Sequence, residues 1–192
     1  MGIHRNYFFD NIKYYLFGKF NQGQVDGLNV FLDWYDQKNP PIPERYHVDD
    51  RMLSYILATT YHETAATMQP IAEYGKGAGK SYGKPDPVTG QTYYGRGYVQ
   101  LTWKDNYQRQ DTKLKLGGSL VKKADRALEP AIALEVILGG MVDGDFTGKK
   151  LAQFFTASVT NWYDARTIVN GHDQASTIAG YAEKFCNAIT ST

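Results

Sequence analysis

Glu63 is the first residue whose type conflicts with its setting. It follows Ile56 by seven positions, two helical turns, so it projects nearly the same way as Leu53, Ile56, Leu57 and Thr60. A carboxyl on such a face is either buried or at the floor of a cleft, and burial disfavours its charged form. A glutamic acid kept protonated near neutral pH serves as a general acid. Periodicity alone leaves two other readings open: a structural glutamate paired to an arginine, and the solvent-side end of the helix. Glu73 comes later, beyond Pro70 and just before a Gly-rich stretch, in a more polar setting. Two carboxyls in unlike environments are the arrangement that separates an acid from a base. Taken alone, Glu73 is equally a surface residue.

His62-Glu63 invites a zinc reading, but the metalloprotease motif needs a second histidine at position 66, which is Ala66. His4, His47 and His172 show no ligand spacing, so no metal is expected. The run from Tyr93 to Trp103 is the second concentration of chemistry. Gly95 and Gly97 allow close backbone approach and turn Tyr, Arg and Gln side chains towards one spot. The closing Gly-Lys-Ser/Thr of a phosphate loop is absent. Thr102 and Asn106 are four apart, hence neighbours on one helical face. Each either positions a water or sugar hydroxyl or makes a local turn bond. Tyr82, Tyr93, Tyr94 and Tyr98 sit in polar, Gly-rich surroundings. They are either half-buried packing residues or ring platforms for pyranose C–H faces.

These residues need elements to hold them. Residues 5–20 and 22–36 carry apolar stripes of helical period, the second through Val25, Leu28, Phe31, Leu32 and Tyr35. Residues 39–44 hold three prolines and read as an extended connector. A third helix is capped by Asp49 or Asp50 and runs to about Met68. Residues 75–90 read as a long, flexible surface loop carrying Lys76, Lys80 and Lys84, and residues 92–101 as a short hairpin or set of turns. Helix follows over 102–115, from Pro130 to about Val142, over 148–170 with a break near Ser158, and over 174–189.

The chain has 192 residues with 42% hydrophobic content, enough to bury one core, so residues 1–192 read as a single domain with two lobes. A net charge of +1 gives no global field for nucleic acid or an anionic membrane. The lone Cys186 excludes an internal disulfide and a cysteine-built zinc site. No stretch is long and apolar enough to span a bilayer, and residues 1–10 lack the pattern of a secretory signal.

His62-Glu63-Thr64, the Tyr93-Tyr94-Gly95-Arg96-Gly97 run with Gln100-Leu101-Thr102-Trp103 and Asn106-Tyr107, and Val169-Asn170-Gly171 together resemble family 19 glycoside hydrolases, the chitinases and related phage endolysins. The blocks fall in the family's order over roughly residues 50–175. The resemblance implies a mainly α, lysozyme-like fold of two lobes, with a small β or turn element near the cleft. It implies an inverting hydrolase on β-1,4 N-acetylhexosamine chains, with Glu63 as acid, Glu73 as base and Thr102 holding the attacking water. Tyr94, Arg96, Gln100, Trp103, Asn106 and Asn170 are placed on the sugar or lining the cleft. Length, missing signal and missing disulfides point to the phage or prophage endolysin type. Such a protein is made in the bacterial cytoplasm, acts on wall peptidoglycan after release, and is expected to be a monomer without cofactor or separate wall-binding module. A chitinase on the same scaffold and a catalytically weak glycan-binding phage-particle protein are the alternatives. Two departures stand out: Ala65 and Ala66 replace glycines, and His172 replaces a glycine after Asn170-Gly171.

Overall fold

The computed structural model describes residues 2–36 and 46–190. The proline-rich connector expected at 39–44 lies outside the described residues. The chain forms two compact units, one from the chain up to Met68 together with Ile137 onward, the other from Gln69 to Val136.

In the first unit, α1 (Arg5–Ile12) runs on into a wide helical turn, Lys13–Phe17. Helix α2 (Gln22–Tyr35) opens on a reciprocal cap: Gln24 N donates to Asn21 Oδ1 at 2.9 Å, and Asn21 N donates to Gln24 Oε1 at 3.0 Å. Helix α3 (Asp50–Glu63) opens on Asp49, which accepts from Met52 N at 2.9 Å. It packs on α7 (Ala175–Thr190), against which α1 also lies. Met52 through Thr60 are all buried, so α3 is a central helix covered on every side rather than an amphipathic one. Fully burying side chains such as Leu53, Ile56 and Leu57 stabilises the unit by about 1.5–3 kcal/mol each. Tyr61 meets Tyr181 edge-on at 4.9 Å and donates its hydroxyl to Leu16 O at 3.0 Å.

Helix α3 stops at Glu63, short of the expected Met68. The Thr64 hydroxyl donates to Thr60 O at 2.7 Å and accepts from Met68 N at 3.1 Å. Ala66 N reaches back to Tyr61 O at 2.7 Å, and Gln24 Nε2 donates to Ala66 O at 2.9 Å. These bonds satisfy carbonyls that a helix end leaves open. Ala65, Ala66 and Met68 take left-handed φ values of 49°, 62° and 57°. That conformation costs an L side chain about 1–2 kcal/mol. The two alanines are the residues that stand in place of the motif's glycines.

The helix expected over 148–170 does not form. Instead there are two short 3-10 turns, Leu151–Gln153 and Asp164–Ile168, and an isolated bridge between Phe155 and Thr160. Arg51 fixes the segment as a loop by donating to Thr156 O and Thr160 Oγ1, each at 2.9 Å.

In the second unit, β1 (Ile71–Ala72) pairs antiparallel with β2 (Arg96–Gly97), Ile71 opposite Gly97 and Ala72 opposite Arg96. Helix α4 (Lys104–Lys113) starts after Thr102, with Trp103 at φ 74° before it. Helix α5 (Ser119–Lys122) and a 3-10 turn, Ala124–Leu128, precede α6 (Pro130–Leu138). Pro130 takes the first helical position, where a missing N–H costs nothing. The loop at 75–90 is pinned rather than flexible. Gly77 and Gly83 abut so closely that a Cβ on Gly77 would lie 2.6 Å from Gly83 Cα. Lys104 Nζ also holds Asp86 Oδ2 at 2.8 Å. Among the described residues, no helix is long and apolar enough to cross a membrane.

Candidate active site

Glu63 and Asn170 belong to the first unit. Glu73, Tyr94, Arg96, Gln100, Thr102, Trp103 and Asn106 belong to the second.

Glu63 is the last residue of α3. Its Oε1 accepts a 2.6 Å hydrogen bond from Arg166 Nη1, in an ion pair whose side chains are 21% and 3% exposed. Arg166 also donates from Nε to Asp173 O at 2.9 Å. The C-terminal end of a helix repels negative charge, and the guanidinium opposes that repulsion. The carboxyl is therefore not shut into an apolar face, as helical spacing suggests. It is a partly exposed group in an ion pair, the arginine-paired alternative that periodicity leaves open. With Oε1 committed to Arg166, Oε2 is the oxygen without a hydrogen-bond partner among the described residues.

Glu73 is held differently. Its Oε1 accepts from Gly77 N and its Oε2 from Gly95 N, both at 2.9 Å, while Glu73 N donates to Gly95 O at 2.8 Å. Hydrogen bonds to a carboxylate are stronger than neutral ones, so Glu73 ties the Gly-rich loop to the Tyr-Gly-Arg-Gly run. An ionised carboxyl has about four lone-pair positions, which leaves room for a water. A Cβ on Gly95 would lie 2.5 Å from Gln100 Oε1 and 3.2 Å from Glu73 Oε2, so both side chains would have to move to admit it.

Gln100 sits at φ 57° and donates from Nε2 to Ile71 O at 3.3 Å. Thr102 Oγ1 donates to Gln100 O at 2.7 Å, and Asn106 Nδ2 donates to Thr102 O at 2.8 Å. With its proton committed, the Thr102 hydroxyl can receive a hydrogen bond but not give one elsewhere. The Trp103 indole is 51% exposed and meets Tyr82 edge-on at 5.0 Å. Tyr94 is half-buried, with the Arg96 guanidinium 3.6 Å from its ring centre.

Arg96 departs from its expected place lining a cleft. It is 3% exposed. Its Nε donates to Asp125 Oδ1 at 2.8 Å. Its Nη1 donates to Thr92 O, Tyr94 O and the Tyr107 hydroxyl at 3.0–3.2 Å. It is an internal brace for the Tyr93–Gly97 run, whose contacts nearest the surface are the Tyr94 ring and the exposed Asp125 carboxylate. Burial of its partner Tyr107 pushes that phenol up to about 12. Asn170 is exposed, and its backbone N donates to Arg166 O at 3.0 Å, which links it to the residue that holds Glu63.

Arg166 and Asp125 carry no signal of their own in the sequence. Arg166 lies 103 positions from its partner. The available clue was indirect: a glutamate at the end of a buried helix needs a cation. Asp125 was detectable only as one of several acids able to meet a buried Arg96.

No family model and no curated protein matches this chain. Solved structures do match its fold. Chitinase C from Streptomyces griseus HUT6037 aligns over 97% of this chain and 76% of its own, with a TM-score of 0.60 and 20% identity. A bacterial family 19 chitinase aligns over 98% of this chain and 95% of its own, with a TM-score of 0.55 and 18% identity. The mainly α, lysozyme-like architecture expected from the sequence is therefore the fold that this chain shares with these two chitinases.

Proposed function

We propose that this chain is a glycoside hydrolase that cleaves β-1,4 bonds of N-acetylhexosamine chains by inversion, with peptidoglycan as substrate in the manner of an endolysin. The observation that carries the reading is a pair of carboxylates held in unlike ways. Glu63 is ion-paired through one oxygen, and Glu73 is bound by two backbone N–H groups. In this mechanism Glu63 protonates the leaving glycosidic oxygen from Oε2, while Arg166 keeps the carboxyl oriented. Glu73 takes a proton from water. The water donates a hydrogen bond through its other hydrogen to Thr102 Oγ1, whose own proton is already committed to Gln100 O. The water's lone pair attacks the anomeric carbon as the bond from that carbon to the protonated leaving oxygen breaks. An inverting pair needs its carboxyls about 6.5–9.5 Å apart to admit that water. Gln100, Asn106, Asn170 and the exposed Trp103 contact sugar, and no cofactor takes part.

Lys76, Lys80 and Lys84 favour peptidoglycan over chitin. All three are exposed, and none makes an ion pair among the described residues. Peptidoglycan carries stem-peptide carboxylates beside its sugars, whereas chitin is neutral. The second reading, a chitinase, is favoured by the fold shared with two chitinases. Purified bacterial walls and chitin oligomers assayed side by side separate the two. The peptidoglycan reading expects reducing ends released from walls, and wall turnover that falls several-fold at low salt when the three lysines become glutamines. Exposed charge contacts are worth about 0–1 kcal/mol each and are screened, so high salt should erase most of that loss. Turnover of chitin alone would replace it with the chitinase reading. Anhydro ends would point to a transglycosylase, and binding without turnover on either polymer would leave only a glycan-binding protein.

A further inference from the structure

His172 stands where the motif carries a glycine, and its bonds lead back to Glu63. Its Nε2 pairs with Asp164 Oδ1 at 2.9 Å, and its ring lies on Tyr163 with centroids 5.2 Å apart and planes 19° apart. Asp164 is itself fixed: Asn161 Nδ2 donates to its Oδ2 at 2.7 Å, and Asp164 N donates to Asn161 Oδ1 at 3.0 Å. The other side of the segment is tied by Thr147 Oγ1, which bonds Thr167 O at 3.1 Å and Ile168 O at 3.0 Å. Between these ties lies Arg166, buried, with Nη1 on Glu63 and Nε on the carbonyl of Asp173, the residue after His172. The His172–Asp164 bond thus closes a loop whose next carbonyl braces the guanidinium that orients the candidate acid.

We infer that His172 is a positioning residue: clasped to Asp164 and Tyr163, it sets the Asp173 carbonyl and through it the Arg166–Glu63 pair. This rests on the reading of Glu63 as general acid. A glycine at position 172 would leave the Asp173 carbonyl free to swing, and Arg166 would lose a fixed acceptor. The charged and titratable groups around the ring are Asp164 and Tyr163 in contact, Asp173 beside it in sequence, Arg166 beyond that carbonyl, and Lys149, whose charge acts on Asp164. Hydrogen bonds from Asn161 and then His172 hold the Asp164 carboxyl below its ordinary range, as a clasp of this kind requires. A merely decorative pair would do nothing to Arg166.

The test compares wild type, His172→Ala and His172→Gln. Glutamine keeps a donor for Asp164 but has no ring to lie on Tyr163. Small misplacements of a catalytic group cost up to about a hundredfold, and a loosened brace is expected to cost about tenfold. We expect His172→Ala to lower kcat about tenfold with KM nearly unchanged, and His172→Gln to recover most of the loss. We also expect the NMR signal of the Arg166 Nε–H to move in His172→Ala and to return towards its wild-type position in His172→Gln. A rise in KM alone would make the ring a sugar platform and overturn the inference. Unchanged kinetics, or an Arg166 signal indifferent to His172→Ala, would overturn it as well. If wild type turns over neither walls nor chitin oligomers, the assignment of activity fails, while the Arg166 signal still decides the clasp.

Discussion

Replacing Gly95 by alanine tests whether Glu73 owes its position to the Tyr-Gly-Arg-Gly run. Gly95 has no left-handed φ, so alanine meets no backbone strain there, and the whole cost is steric. The new Cβ would lie 2.5 Å from Gln100 Oε1, 3.1 Å from Gln100 Cβ and 3.2 Å from Glu73 Oε2. Gln100 must rotate away and give up its bond to Ile71 O, a neutral bond worth about 0.5–1.5 kcal/mol. The Glu73 carboxylate, 3.2 Å from the new Cβ, must give by a few tenths of an ångström, which weakens without breaking its charged bond to Gly95 N, a bond worth about 1.5–3 kcal/mol intact. The combined destabilisation is about 1–3 kcal/mol. For a chain of this length each kcal/mol lowers Tm by about 2–4 °C, so a drop of roughly 2–12 °C is expected. Melting followed by circular dichroism reads the stability. Turnover on walls at a temperature where the variant stays folded reads the site, and kcat should fall more than KM rises. A variant that melts within about 1 °C of wild type and keeps full turnover would refute the reasoning, because neither bond would then depend on the bare glycine.

Thr102→Ala should lower kcat with little change in KM, since the water it receives matters mainly in the transition state; a change in KM alone would make the hydroxyl a sugar-binding group. The Lys104–Asp86 pair is the subject of a pH prediction. Lys104, with help from the Thr89 and Val88 amides, holds the Asp86 carboxyl down at about 2. A depressed carboxyl contributes stability above its unfolded value and loses it as pH falls. The 86–90 turn should therefore stay protected from hydrogen exchange at pH 5 and lose protection as the pH falls from about 4 towards about 2. Lys104→Met should move that loss to higher pH, and protection identical to wild type across the range would count against the pinned loop.

Much of the fold is legible in the sequence where local chemistry decides it. Asp49 marks a helix start because its side chain caps a free N–H group, whereas the reciprocal Asn21–Gln24 cap emerges only in the structure. Pro130 marks another because it lacks one. The end of α3 is not legible in the same way. Alanine is a strong helix former, yet Ala65 and Ala66 turn left-handed because Thr64, Tyr61 and Gln24 bind the backbone from elsewhere. Residues 148–170 carry enough apolar residues to suggest a helix, and Arg51, about a hundred positions away, holds them as a loop. The site divides likewise. Glu63 and Glu73 are visible as carboxyls in unlike settings. Which cation meets Glu63, and that Arg96 turns inward to Asp125 and Tyr107, depends on tertiary neighbours that spacing does not encode.

Glu63 is proposed to deliver a proton to the leaving glycosidic oxygen. Glu63→Gln keeps an oxygen for Arg166 but has no acidic proton. The measurement is turnover of purified walls and chitin oligomers by wild type and Glu63→Gln, with the first-formed anomer read by NMR. The account predicts that wild type releases product with inverted configuration, and that the variant melts cooperatively near wild type while losing about 10²–10⁴-fold in kcat. A folded Glu63→Gln protein that keeps most of the wild-type rate would contradict it.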